Sequence, residues 1–253
     1  MILKVIACEV FTREICRCVA DSPHVIDLEF TPVGLHEDVD VLHGILEEKI
    51  VEAKASERNY DAIALCLGIC GNATLGLTAS GIPLVLPRAH DCCTILLGSR
   101  ERFKEHFGDD PSTPFSSVGY AEHGRDGVHA SDHIRKQMGL DMTFEQCVAR
   151  YGEENATYVW ETLDPQNTSQ LARKVVFIEM PGVEDRSCLQ QCRQKAAAEG
   201  RNFETIEGST ELIRKLVFGE WDEKDFLVVR DGESIAGVYD MDEIIKAVRK
   251  PAE

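Results

Sequence analysis

The sequence predicts an α/β fold made of two Rossmann-like, parallel-sheet halves, candidate βαβαβ repeats, with a helical insertion between them. Three observations predict it. Short apolar runs alternate with longer amphipathic ones through the first hundred residues, the same rhythm returns from about Lys174, and a polar, helix-patterned stretch separates the two. In order, Leu3 to Cys8 reads as a buried strand, Phe11 to Val19 as a short helix, and Val25 to Phe30 as a second strand of alternating character. Glu37 to Ala55 follows, with Leu42, Ile45, Leu46, Ile50 and Ala53 at helical spacing beside a face of Glu and Lys. Ala62 to Leu67 and Pro83 to Leu86 complete the first half as strands. From Gly108 to Gln170 a loop with Asp109, Asp110, Pro111 and Pro114 leads into helices around Ile134 to Met138 and Phe144 to Trp160. The second half runs as a strand at Val175 to Ile178, a helix at Ser187 to Glu199, a strand at Phe203 to Ile206, a helix at Thr210 to Val217 and a strand at Phe226 to Val229. The expected division is 1–107, 108–170 and 171–253.

Composition excludes some functions. The 27 Lys and Arg against 44 Asp and Glu leave a formal charge of −17, and no basic run supplies the surface that nucleic-acid phosphates require. No apolar stretch approaches the roughly 20 residues of a membrane span. Met1 to Cys8 lacks the basic head and long apolar centre of a signal peptide, so a cytoplasmic protein is expected. In a reducing compartment the 10 cysteines point to metal binding, thiol chemistry or small buried residues rather than disulfides.

Ligands of open α/β sheets bind beyond the carboxyl ends of the strands. Cys8 closes the first predicted strand, Cys70 follows the third, and Cys92 follows the fourth with His90 two residues before it. Thiolates and imidazole suit zinc, so these four are the candidate ligands. The long separations match no compact zinc-finger pattern, and their convergence depends on the fold. Gly68, Cys70, Gly71 and Asn72 form a tight turn whose backbone can approach a ligand closely, which makes Gly71 and Asn72 candidate binding residues. Arg88 is a candidate for holding a substrate carboxylate or phosphate, and Asp91 for orienting His90 or accepting a proton; an Arg and an Asp paired structurally at the sheet rim is the alternative. Cys16 with Cys18, the buried-strand Cys66, Cys93, and Cys188 with Cys192 read more simply as packing. Tyr151 to Asn155, and His123, His129 and His133, read as helix surface and solvated loop, with a lid and a metal cluster as the sharper alternatives.

The stretches YDAIALCLGICGN (Tyr60 to Asn72) and PLVLPRAHDCCTILLGS (Pro83 to Ser99) closely resemble a prokaryotic family known only as domain of unknown function number 1638. KVIACEV around Cys8, YGEENA from Tyr151, and LVFGEWDEKDFLVV are also similar to it, so the resemblance spans nearly the whole chain. It implies that Cys8, Glu9, Cys70, Arg88, His90, Asp91 and Cys92 occupy recurrent positions. Glu9 enters as a candidate catalytic residue on that ground. It also implies, by association, a place near corrinoid-dependent methyltransferases. Where members often carry Tyr before the Gly-x-Cys-Gly turn, this chain has Leu67.

Three functions compete. One is a zinc-thiolate enzyme of methyl or alkyl transfer acting on a small-molecule substrate. A second places a 4Fe–4S cluster on the same thiolates, for dehydration or sulfur transfer. The third is a non-catalytic accessory factor that binds a corrinoid protein. Neither nucleic acid nor a membrane is an expected partner.

Overall fold

The structure is a computed structural model and describes residues 1–35, 38–111, 113–124, 144–152, 174–238 and 243–249. It is a mixed α/β protein with a mostly parallel central sheet. The described residues fall into two compact units, one of Met1–Glu105, Met180–Glu184 and Glu207–Glu253, the other of His106–Glu179 and Asp185–Ile206.

In the first unit the strands β1 (Ile2–Cys8), β2 (Val25–Thr31), β3 (Ala62–Cys66) and β4 (Leu84–Pro87) are parallel. The sheet order is β2-β1-β3-β4, followed by a fifth strand, Phe226–Val229. Every residue of β3 and β4 is buried, as expected of central strands covered on both faces. β2 lies at the edge and carries Asp27 and Glu29. Lys4 bridges Glu29 at 2.8 Å, Lys49 also pairs with Glu29, and Tyr60 donates its hydroxyl to Asp27. Charges on an exposed edge discourage pairing with another chain.

Two helices of this unit pack on each other. α1 (Thr12–Asp21) buries Glu14, Ile15 and Cys18. The helix Glu211–Phe218 buries Leu212, Ile213, Leu216 and Val217, and ends on Gly219 at φ 73°. α2 (Val39–Ala55) is capped by Asp38, which accepts from Val41 N at 3.2 Å, and buries Leu42, Leu46, Ile50 and Ala53. That is the stripe expected from its sequence, with Ile45 outside it. After β4 come α3 (Cys92–Leu97), closed by Gly98 at φ 80°, and α4 (Arg100–Phe107).

In the second unit β5 (Phe115–Ser116) runs parallel to β6 (Lys174–Glu179), and β7 (Asn202–Glu207) lies beside β6. The unit also holds α5 (Val118–Glu122), α6 (Phe144–Tyr151) and α7 (Arg186–Ala198). Val175, Ala196 and Phe203 share its small core, and Phe177 meets Phe203 at 6.4 Å between ring centroids. The helix Glu211–Phe218 is then α8.

Two findings depart from expectation. The last strand of the expected second half, β8 (Phe226–Val229), pairs antiparallel with β4 and so completes the first sheet. An apolar run such as Phe-Leu-Val-Val demands burial but says nothing about which edge supplies it. The chain then forms a hairpin, β9 (Glu233–Gly237) and β10 (Ile245–Arg249), that the pattern reading left out. The segment after the Cys70 turn is stitched to β9, with Gly76 N to Ile235 O at 2.8 Å and Ala79 N to Glu233 O at 3.0 Å. The helix expected around Ile134 to Met138, most of Tyr151 to Trp160, His129 and His133 lie outside the described residues; His123 is exposed.

Candidate thiol and metal centre

From β1 the chain crosses to β2 on one side, while β3 and β4 lie on the other. The crossovers thus leave in opposite directions at β1 and β3, and a crevice opens between their carboxyl ends. Three loops reach that rim. Cys8 ends β1 and is followed by a tight turn, Glu9–Phe11.

The loop after β3 begins with Gly68. A Cβ there would lie 2.7 Å from both the N and Cα of Asp91 and 2.9 Å from the His90 carbonyl carbon, so only glycine permits the two loops to touch. They are then laced by Ile69 N to Ala89 O at 3.0 Å and Cys70 N to His90 O at 3.1 Å. Next, Cys70, Gly71 and Asn72 have φ of 43°, 68° and 83°. Two residues with a Cβ in the left-handed region store about 1–3 kcal/mol each, which persists only where the surroundings impose it. On the far side of this turn His43 of α2 donates Nδ1–H to the Ala73 carbonyl at 2.9 Å.

The loop after β4 ends at Asp91, whose Oδ1 accepts from Thr94 N at 3.1 Å and caps α3, leaving Cys92 as its first residue.

This construction brings Cys8, Cys70 and Cys92 together. Their residual exposures are 6%, 8% and 6%. The Cys92 thiol is within hydrogen-bonding reach of both others, so the three sulfurs are linked through it. That contact holds the Cys8 thiol below its ordinary range, helped by the Val10 backbone amide and opposed by burial and the Glu9 charge. Cys92 is pushed well above its ordinary range by the same two sulfurs and by burial.

Other candidates sit differently. Burial lowers the His90 imidazole's pKa against the pull of Asp91, so the ring is neutral at pH 7, and its buried Nε2 has no hydrogen-bond partner among the described residues. Burial raises the Asp91 carboxyl despite its bonds to Thr94. Although Asp91 as a residue keeps some exposure, its carboxyl is turned inward as a helix cap, which is the task it performs here. Arg88 grips backbone: Nε donates to Glu223 O at 3.0 Å, and Nη1 donates to Glu243 O at 2.9 Å and to Ile245 O. Glu9 Oε2 accepts from Val33 N at 3.2 Å and ties the loops after β1 and β2. Gly71 and Asn72 are exposed beside Cys70.

Cys66, set aside as a strand residue, lies fully buried behind the cluster, close enough to feel Cys8 and Cys70; burial pushes its thiol well up. Cys18 is buried against α8, with Thr210 bonding its thiol, and Cys16 is exposed. Cys188 and Cys192 belong to the second unit.

Whether the thiol cluster fits a metal has two answers. Its three soft sulfurs are donors that zinc takes, and the His90 Nε2 in the neighbouring loop is a buried nitrogen without a partner among the described residues. Yet among the described residues no group of three or more His, Cys, Asp or Glu side chains is already arranged around a metal position.

Fold and rim thus define an α/β protein with a buried thiol cluster at the point where its strand order reverses. The chain belongs to the family described as Protein of unknown function (DUF1638), which matches residues 30–217. No curated protein and no solved structure matches it. No described helix is long and apolar enough to cross a membrane.

Proposed function

We propose that the cluster is a zinc-thiolate centre held by Cys8, Cys70 and Cys92, with His90 as the fourth donor, serving methyl or alkyl transfer to or from a small molecule in corrinoid-linked metabolism. One observation carries this reading: three thiols from three strand ends, far apart in the chain, share one contact network. Bound zinc would keep a substrate thiol ionised and nucleophilic at neutral pH. The chain's own contributions are distinct. Contact with Cys92 holds the Cys8 thiol below its ordinary range, Cys92 stands well above its own, and the left-handed turn holds Cys70 beside the exposed residues Gly71 and Asn72.

The test is elemental analysis with a visible spectrum on anaerobically purified protein. About one zinc per chain, lost in Cys92→Ser, is expected. Iron with a brown chromophore would favour the cluster alternative on the same ligands. A chain free of metal, with Cys92→Ser no different, would overturn the metal reading.

A further inference from the structure

A different part of the same unit carries two arginines that the thiol centre does not use. Arg88 leaves the end of β4 and Arg100 opens α4. Both reach the same turn: Arg88 N and Nε donate to Asp225 O at 2.8 Å and Glu223 O at 3.0 Å, and Arg100 Nη2 donates to Lys224 O at 2.5 Å. Gripping the carbonyls of Glu223 and Lys224 brings the two guanidinium groups near enough that the Arg100 charge works against that of Arg88. In a chain with 44 carboxylate residues this is unusual, because neither arginine forms an ion pair among the described residues. The charges of Glu243 and Glu223 offset part of the burial of Arg88 from beyond ion-pair distance. Lys224, the neighbouring cation, is paired with Glu101 at 2.9 Å. One donor of the pair, Arg100 Nη1, is buried with no acceptor among the described residues.

A buried guanidinium nitrogen normally finds an acceptor, and two adjacent guanidiniums normally recruit an anion. Here backbone carbonyls supply positions without supplying charge, which fixes the fork without an ion pair among the described residues. We propose that Arg88 and Arg100 form an oxyanion site, taking a phosphate or carboxylate group of a ligand through Arg100 Nη1 and the donors of Arg88 that no carbonyl occupies. The site stands whatever the thiols hold, and its test requires no metal.

The probe is inorganic phosphate, with acetate as the carboxylate arm and sodium chloride at matched ionic strength as the control, read by calorimetric titration and by thermal unfolding of the full chain. Saturable binding of phosphate or acetate that raises the melting temperature above the chloride control is expected, and the responding arm identifies the source of the oxyanion. Arg100→Gln should weaken that binding about tenfold or more, as loss of a charged donor requires. Arg100→Lys keeps the charge without the fork and should weaken it less. No saturable response to either anion in the unaltered chain would overturn the proposal. Undiminished affinity in Arg100→Gln or, should that variant not fold, in Arg100→Lys would overturn it equally.

Discussion

At the level of single residues, the sequence marks chemistry by type and position but not by partner. Cys8, Cys70 and Cys92 were legible because each follows an apolar run, and the end of a run is the end of a strand. Arg88 and Asp91 were legible as charged residues in a rim loop, yet their tasks are set by backbone groups that no spacing reveals: three carbonyls for one and the Thr94 amide for the other. Gly68 shows the reverse case, a residue with no chemistry that decides whether the centre exists. A methyl group there would collide with Asp91 backbone at 2.7 Å, and backbone cannot rotate away as a side chain can. Gly68→Ala should therefore destabilise the chain by about 1–3 kcal/mol, the usual cost of overpacking. The Ile69–Ala89 and Cys70–His90 bonds should part with it. Denaturant midpoints measure the first effect and amide exchange at Ile69 and Cys70 the second. Unchanged protection at both amides would show that the loops do not need the glycine.

At the level of elements, periodicity located β1 to β4, β6 to β8, α1, α2, α7 and α8 within a residue or two, because amphipathic stripes such as Leu42, Leu46, Ile50 and Ala53 are imposed by burial, but it placed no element at α3, α4, β5 or α5. It missed the β9–β10 hairpin, whose Glu-Ser-Ile-Ala-Gly and Ile-Lys-Ala-Val-Arg are short and only partly apolar. Boundaries are set by caps, and α7 offers a measurable one. Asp185 accepts from the Ser187 hydroxyl at 2.7 Å, Cys188 N at 3.2 Å and Ser187 N at 2.8 Å, and these bonds, the hydroxyl's first, pull its carboxyl from 3.8 down to about 2. A carboxyl lowered on folding contributes stability above its unfolded value and loses it as pH falls through the folded one. The charged cap of α7 should thus be fully effective above about pH 5, largely lost near pH 2 and gone only below it. Asp185→Asn keeps a capping oxygen without the charge. The stability gap between the unaltered chain and Asp185→Asn should shrink steadily on acidification between those limits, followed by chemical denaturation at a series of pH values. A gap independent of pH would mean that the charge contributes nothing.

At the level of the molecule, the parallel order β2-β1-β3-β4 follows from alternation and right-handed crossovers, while its closure by β8 does not, since a strand's sequence carries no record of which edge it joins. The same holds for the return of the C-terminal hairpin onto the rim of its own unit. Backbone bonds join it to Gly76 and Ala79, and Arg88 anchors its second strand through the carbonyls of Glu243 and Ile245. Three charge-assisted bonds on one half-buried guanidinium make this arginine a structural fastener between β4, the turn at Glu223 and the hairpin. Removing it leaves those carbonyls without their donor, so Arg88→Ala should cost about 1–3 kcal/mol. Arg88→Lys should recover only part of that, because an ammonium on a flexible stem cannot serve three carbonyls in the geometry of a planar fork. Hydrogen exchange locates the effect. Amides of the hairpin, Val238 and Ile245 first, should exchange faster in both variants, while those of the buried strand β3 hold their protection. If β3 loosens equally, the fastening is not local and Arg88 supports the whole sheet. If neither region changes, the three carbonyls do not depend on it.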